Sequence, residues 1–333
     1  MKSMGSGAGP VWVVAEQLEG RIQAVSLQLI GCARCLADEL GVAAEAVLLG
    51  EGTAALAPDL VAAGTDRIYL GDHRNLRSYD SELYAQLLED LARRQGPEIV
   101  LFGSTPVGTE LAPLMAARLS TGLTVHCIDL ALNDDGILEQ RVPAYGGVIS
   151  IVCPTRRPQM AMISRGVFPT PVLDRARAGE IVPLDVPDEI PRRLETLEIV
   201  REAAGGVSLE SATTIVAGGA GVGDPAGWLL VSDLACALNA ALGSTRPVVD
   251  EGWAELETMI GQSGKMVNPE LYIGVGLSGE QQHMVGITEA RVMVAINSNT
   301  NAPIFGQVDL GVVDDLREFL PVLIEKIVEY RTA

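Results

Sequence analysis

Between Gly243 and Gly311 the sequence gathers hydrogen-bond donors, hydroxyls and glycines at short intervals. Arg246 sits in GSTRPVVD with Ser244 and Thr245 beside it, and Gly261-Gln262-Ser263-Gly264-Lys265 make a tight polar run. Ser278-Gly279 precede Gln282-His283, and Asn297 and Asp309 close later apolar stretches. A guanidinium among small hydroxyl and peptide donors suits a ligand that is both anionic and aromatic, and a dinucleotide meets that description. Hydrolytic chemistry has less to work with. The three histidines, His73, His126 and His283, stand in no Ser-His-Asp order and no metal-ligand spacing. No catalytic side chain and no metal ligand is assigned, so a bound cofactor would carry any reaction.

Three apolar runs, LYIGVGL, VMVAI and IFGQVDL, must position these groups. Each is short and stops at Ser, Gly, Asn or Asp, which predicts buried parallel strands. In an open α/β sheet, ligands collect where such strands end. Upstream, TTIVAGGAGVGDPAGWLLVSDLACALNAAL predicts a strand, a Gly-rich turn and a helix opening at Asp224-Pro225. The turn over 219–223 could admit a phosphate at the positive end of that helix. Its spacing is not G-x-G-x-x-G, and a plain strand-to-helix turn explains it equally well. The C-terminal VVDDLREFLPVLIEKIVEYR predicts an amphipathic helix. Its stripe of Leu316, Phe319, Leu320, Leu323, Ile324 and Ile327 is read as core or subunit contact.

The N-terminal half alternates strands and helices. VWVVAE (11–16), EAVLLG (45–50), RIYLGD (67–72) and EIVLFG (98–103) predict strands. Ser26 is expected to cap a helix reaching Leu40, Gly96-Pro97 to close the helix SELYAQLLEDLARRQ, and GTELAPLMAARLST (108–121) to form another. This alternation predicts a largely parallel sheet covered on both faces. GLTVHCIDLALN, ILEQRVPAYGGVISIVC and QMAMISRG read as extended segments that add antiparallel strands to it. The Pro- and charge-rich run from Pro169 to Gly206 reads as a linker with one strand, LETLEIV (194–200). The expected organisation is a loose tail over 1–10, an N-terminal α/β domain over 11–195 and a C-terminal ligand-binding domain over 196–333.

Composition bounds the partners. With 333 residues, 48% of them apolar, the chain has material for two cores. A formal net charge of −19 argues against nucleic acid and anionic lipid, and aromatic residues at 4% are too sparse for base-stacking platforms. No membrane span is expected, since no run reaches roughly 18 uninterrupted apolar residues. MKSMGSGAGP has neither an apolar signal core nor an Arg-rich amphipathic character, and the expected location is cytoplasmic. The five cysteines read as free thiols of a reducing compartment, with Cys32 and Cys35 one helical turn apart as small buried residues.

The same segments carry a family resemblance. GSTRPVVD resembles the G-A-S-R-x-x-V-D segment of electron-transfer flavoprotein alpha subunits. GQSGKMVNPELYIGVGLSGEQQH is similar to their G-Q-T-G-K-x-V-x-P-x-L-Y-I-x-x-G-I-S-G-x-x-Q-H, and VAINSNTNAPIF to V-A-I-N-x-D-x-x-A-P-I-F, in the same order and spacing. AEQLEGRIQAVSLQLIGCARCLADELG, STPVGTELAPLMAARLSTGLT and RRPQMAMISRGVF resemble their first domain. The resemblance implies two Rossmann-like α/β domains with largely parallel sheets, the C-terminal one a DHS-like NAD/FAD-binding domain that holds FAD and moves on the linker. It implies a heterodimer with a beta subunit, shuttling electrons between a dehydrogenase, such as an acyl-CoA dehydrogenase, and an acceptor protein. The opening segment is similar to alpha subunits of anaerobes whose partner carries a second FAD and oxidises NADH, so electron bifurcation is a variant. A nucleotide-binding regulatory or structural subunit without redox activity is the alternative.

The resemblance also implies roles. Arg246 lies against the isoalloxazine ring and favours its negatively charged forms. Ser263, where the family usually has Thr, donates near N5, and His283 approaches the O2 edge. Gly261, Gln262 and Gly264 belong to the loop beside the ring. Ser244, Ser278, Gly279 and Gln282 serve the ribityl and pyrophosphate, and Asn297 and Asp309 the adenosine end. The chain departs from the pattern at Thr109 and Ala220, where relatives have Arg, at Ser164-Arg165, where they have Arg-Pro, and at Leu310, where Tyr is common.

Overall fold

A computed structural model of the protein describes residues 8–144, 147–188, 196–199, 208–209, 212–287 and 290–332. The chain divides into two compact units, Met1–Ile199 and Val200–Ala333.

The first unit opens with β1 (Val11–Ala15), a short hairpin of β2 (Gln17–Leu18) and β3 (Arg21–Ile22), and α1 (Ala24–Leu40). There follow β4 (Ala44–Gly50), α2 (Ala57–Ala63), β5 (Arg67–Asp72), α3 (Ser81–Gln95), β6 (Ile99–Gly103) and α4 (Pro106–Leu119). β7 (Leu123–Cys127), β8 (Asp129–Leu132), β9 (Leu138–Ala144), β10 (Gly147–Val152), β11 (Gln159–Ile163) and β12 (Glu180–Pro183) complete it. Seven strands form one parallel sheet in the order β12-β5-β4-β1-β6-β11-β7. Successive residues of β1 feed opposite cores. Val11 and Val13 pack with Leu29 and Ile30 of α1, while Trp12 and Val14 pack with Leu88 of α3 and Met115 of α4. A buried charge in this sheet is fully paired, as its desolvation demands. Glu45 accepts from Trp12 Nε1 at 2.8 Å and from Arg67 at 2.8 Å.

Three local expectations change. Ser26 does not cap α1. It lies inside the helix, where its hydroxyl accepts from the Glu16 N–H at 2.7 Å and so ties the helix to the end of β1. α4 starts at Pro106, earlier than the apolar pattern suggested, because Thr105 caps it by accepting from Gly108 N at 2.8 Å. The segments expected as antiparallel additions divide. β7 and β11 join the parallel sheet, and β8, β9 and β10 form a separate antiparallel sheet in the order β10-β9-β8. Burial explains the division: β11 is buried along its whole length, whereas β9 buries only alternate residues. Of the strand expected over 194–200, residues 196–199 are described and hold none, and the rest lies outside the described residues, as does 1–7 of the expected tail.

The second unit contains β13 (Thr214–Gly218), α5 (Pro225–Leu238), β14 (Ala241–Ser244) and α6 (Arg246–Asp250). It continues with β15 (Leu271–Val275), α7 (Gln281–Met284), β16 (Val292–Ile296), β17 (Leu310–Val312) and α8 (Leu316–Thr332). Its sheet is parallel throughout, in the order β14-β13-β15-β16-β17. The run IFGQVDL is not a strand. Pro303 opens a short 3-10 turn over Pro303–Gly306, and β17 begins only after Asp309. The stripe of α8 belongs to the core: Leu316 and Leu320 are buried, and Phe319, Leu323, Ile324 and Ile327 pack against the same cluster. Both units are thus α/β with parallel sheets. Among the described residues no helix is long and apolar enough to cross a membrane, and no His, Cys, Asp or Glu group could hold a metal ion.

Candidate functional site

In the second sheet the chain first moves outward from β13 to the edge strand β14, then crosses back to β15 on the other side of β13. Strand ends at such a reversal leave a crevice that no crossover fills. A cavity of about 570 Å³ opens there. Residues 219–221 after β13, 245–247 after β14, 276–280 after β15, and Asn297 and Asn299 after β16 line it.

Two glycines let the wall loops close on each other. Gly261 has φ 140°, and a Cβ there would stand 2.5 Å from the Gln282 carbonyl oxygen, which also accepts from Gln262 N at 2.7 Å. This presses the 259–265 loop onto α7. Gly279 has φ 88°, and its Cβ would meet Ile304 N at 2.6 Å, while that N–H donates to Ser278 O at 3.0 Å.

Of the residues expected from sequence, Arg246, Gly261, Gln262, Ser263, Ser278, Gly279, Gln282, His283 and Asn297 line this cavity. Ser244, Gly264 and Asp309 do not. The fully buried Ser244 hydroxyl is 2.8 Å from Thr258 Oγ1. Thr258 gives its own proton to the Glu255 carbonyl at 2.7 Å, so Ser244 is the donor and its proton is committed. Gly264 closes the turn, with its N–H on Gly261 O at 3.0 Å. Asp309 accepts from Met293 N at 2.8 Å and latches the start of β17 to β16. Asn297 faces the cavity yet also braces it, its Nδ2 donating to Leu277 O at 2.7 Å and its Oδ1 accepting from Asn299 N at 2.8 Å. In the glycine-rich turn, the N–H groups of Gly219, Gly221, Val222 and Gly223 go to Val275, Gly276, Gly219 and Ala220 carbonyls at 2.9–3.1 Å. Those four are spent, and the plain-turn reading describes them.

Arg246 opens α6 with its side chain 69% exposed, and its Nε is 3.4 Å from Asp250 Oδ2. An exposed pair at that distance is loosely held. Next to it, Thr245 Oγ1 is buried without a hydrogen-bond partner. Such a hydroxyl calls for a ligand or water. His283 is 7% exposed, its Nε2 lies 2.7 Å from the Tyr272 hydroxyl, and its Nδ1 lies 2.9 Å from the Ile260 carbonyl. Burial holds its imidazole down to about 4, so the ring is neutral at ordinary pH. The sequence reading named Thr245 as a donor beside Arg246 but assigned it no role at the cofactor, and it missed Glu280 and Asn299, although the run Ser298-Asn299-Thr300-Asn301 after a strand is itself a loop-end signal. The apolar lining of Met259, Ile260, Leu277 and Ala302 carries no signal of its own.

Comparison with known proteins gives a consistent result across the chain. The electron transfer flavoprotein domain matches residues 11–189, and the electron transfer flavoprotein FAD-binding domain matches residues 208–288. The chain is 41% identical over 320 residues to an electron transfer flavoprotein subunit alpha of Thermoanaerobacterium thermosaccharolyticum, covering 95% of this chain and 97% of that protein. It is 39% identical over 325 residues to protein FixB of Azorhizobium caulinodans, covering 95% and 87%. It is 33% identical over 355 residues to the acryloyl-CoA reductase electron transfer subunit beta of Anaerotignum propionicum, covering 97% and 96%.

Proposed function

Since the chain belongs to the electron transfer flavoprotein alpha-subunit family, we propose that its second unit holds FAD in the cavity at the strand ends. The observation that carries this reading is the unpartnered Thr245 hydroxyl beside Arg246 in a cavity walled by glycine turns, within the segment matched by the FAD-binding domain. The donor set fits the group. Arg246 supplies positive charge, Thr245 and Ser263 supply hydroxyl protons, and Met259, Ile260 and Leu277 offer an apolar wall to a flat ring. Bound FAD supplies the redox centre, which takes up electrons and gives them back. The chain's part is to hold that centre, keep water from its apolar side, and place cationic and donor groups where negative charge accumulates.

The chain works in a heterodimer with a beta subunit and passes electrons between a dehydrogenase and an acceptor protein. The relative named as an electron transfer subunit of acryloyl-CoA reductase supports an acyl-CoA-type dehydrogenase as one client. The test is to co-express the chain with its beta subunit and count cofactors per heterodimer. One FAD with AMP fits simple transfer, and two FAD fit NADH-dependent bifurcation. A complex with no FAD defeats the reading.

A further inference from the structure

Two glutamates of the first unit's parallel sheet meet opposite surroundings. Glu45 is buried and matched by the Arg67 guanidinium and by Trp12 Nε1, each at 2.8 Å. Glu16 follows β1, and among the described residues no cation touches its carboxylate, although Arg165 acts on it through space. Its two oxygens stand 2.8 and 2.7 Å from one hydroxyl, Thr105 Oγ1, which has a single proton to give. Burial raises this carboxyl above the ordinary carboxylate range, and the Thr105 bond and the Arg165 charge draw it only partly back. A largely covered carboxylate held by one neutral donor is short of positive charge.

Its neighbours are hydroxyls that also lack partners. Gly103 at the end of β6 pairs with Ile163 at the end of β11, and Ser104 N donates to the Ile163 carbonyl at 2.8 Å. Ser104 and Ser164 are therefore the next residues in register. Phe102 and Met162, two residues earlier, pack on the α3–α4 side, and strand alternation turns both serines the same way. Tyr79 packs on that side too, where burial, and then the charges of Glu110 and Glu16, keep its phenol protonated. Ser164 is 2% exposed, and Ser104 Oγ, Ser164 Oγ and Tyr79 Oη are buried without a hydrogen-bond partner. Such groups call for a bound water or ion. They stand where the chain, having left β1 for β4 on one side, returns as β6 on the other.

We propose that these strand ends form a site for a small alkali cation, held by the Glu16 carboxylate and the hydroxyl oxygens of Ser104, Ser164 and Tyr79. One carboxylate balances one positive charge, and neutral oxygens complete the shell. A monovalent ion of this kind needs no cluster of carboxylates, imidazoles or thiolates. Ca²⁺ and Mg²⁺ carry twice the charge and are commonly held by further carboxylates. Water would satisfy the hydroxyls and leave the charge of Glu16 unmatched. The ion ties together the loops after β1, β6 and β11, next to the start of α4. The site lies wholly in the first unit and does not depend on the FAD reading.

The test uses the complete heterodimer in chloride salts at one ionic strength, with choline, too large for the site, as the reference cation. Replacing choline by K⁺ or Na⁺ should raise the thermal unfolding midpoint along a saturating curve for at least one of the two. Glu16→Gln should weaken the apparent affinity by about tenfold or more, because it removes the formal charge that holds the ion. Ser164→Ala removes one oxygen of the shell and should weaken it less. In crystals soaked with thallium(I), which substitutes for alkali ions, anomalous scattering should peak among Glu16, Ser104 and Ser164. Equal midpoints in all three salts, the result expected if water alone fills the site, overturn the proposal. So does a cation response that survives Glu16→Gln unchanged, or a thallium map empty at these residues. If Glu16→Gln does not fold, Ser164→Ala takes its place, and an undiminished response in that variant overturns the proposal equally.

Discussion

Acidification offers a quantitative test of the buried His283. Burial lowers the imidazole to about 4 in the folded protein, against an ordinary value of 6.5. The unfolded chain therefore binds this proton more readily, and stability rises with pH across that interval. The contribution is fully present above pH 6.5 and is lost as pH falls through 4. A gap of this size corresponds to about 3 kcal/mol, of which about 2 kcal/mol is gone by pH 5. Acid also relieves the repulsion of a chain with net charge −19, which works in the opposite sense, so the difference from His283→Gln is the informative quantity. Urea unfolding of FAD-free protein, followed by tryptophan fluorescence, should show the wild type losing roughly 1 M more in midpoint than the variant between pH 7.5 and 5. Histidine-selective NMR is a cleaner check, because the chain has three histidines. One of them should stay neutral down to pH 5. If His283 titrates near 6.5, or if wild type and variant lose stability in parallel, the buried setting of His283 between Tyr272 and the Ile260 carbonyl is wrong.

Other perturbations test the remaining elements. Arg246→Ala should lower the potential of bound flavin by roughly 40 mV for one electron, about 1 kcal/mol, a modest value because the side chain is largely exposed and solvent-screened; spectroelectrochemistry reads it, and no change would remove Arg246 from the site. Gly279→Ala puts a Cβ against Ile304 N at a left-handed φ and should weaken FAD binding while costing about 1–3 kcal/mol, read by flavin titration and thermal unfolding. Glu45→Ala strips the buried Trp12 Nε1 of its acceptor and should cost the first unit about 2–4 kcal/mol in denaturant unfolding. Thr105→Ala removes the cap of α4 and should cost about 1–2 kcal/mol without affecting flavin content.

Much of this was legible in the residues. The short apolar runs of β15 and β16 declared parallel strands, β15 buried almost throughout and β16 only at Ala295 and Ile296, and the polar groups after them fall on the cavity wall. The run around Ile304 deceived because a proline-initiated turn and a strand have the same apolar composition. The division between β11 and the β8-β9-β10 sheet was hidden because it depends on which distant strand each segment meets. Ser244 and Thr245 show a finer limit. Adjacent residues at a strand end point in opposite directions, so one hydroxyl goes to Thr258 and its neighbour is left unpaired at the cavity. Motif membership marks both and cannot separate the residue that braces the wall from the one that faces the ligand. The apolar lining is still less visible, since Met259 and Leu277 look like any core residues until the loops close around them.

The central claim is that the cavity beyond β13, β14, β15 and β16 binds FAD. Its most direct test is the visible spectrum and cofactor content of the complex purified with its beta subunit. A yellow complex that releases at least one FAD per alpha chain on denaturation is the predicted result. A colourless complex, still without FAD after incubation with excess cofactor, would contradict the account.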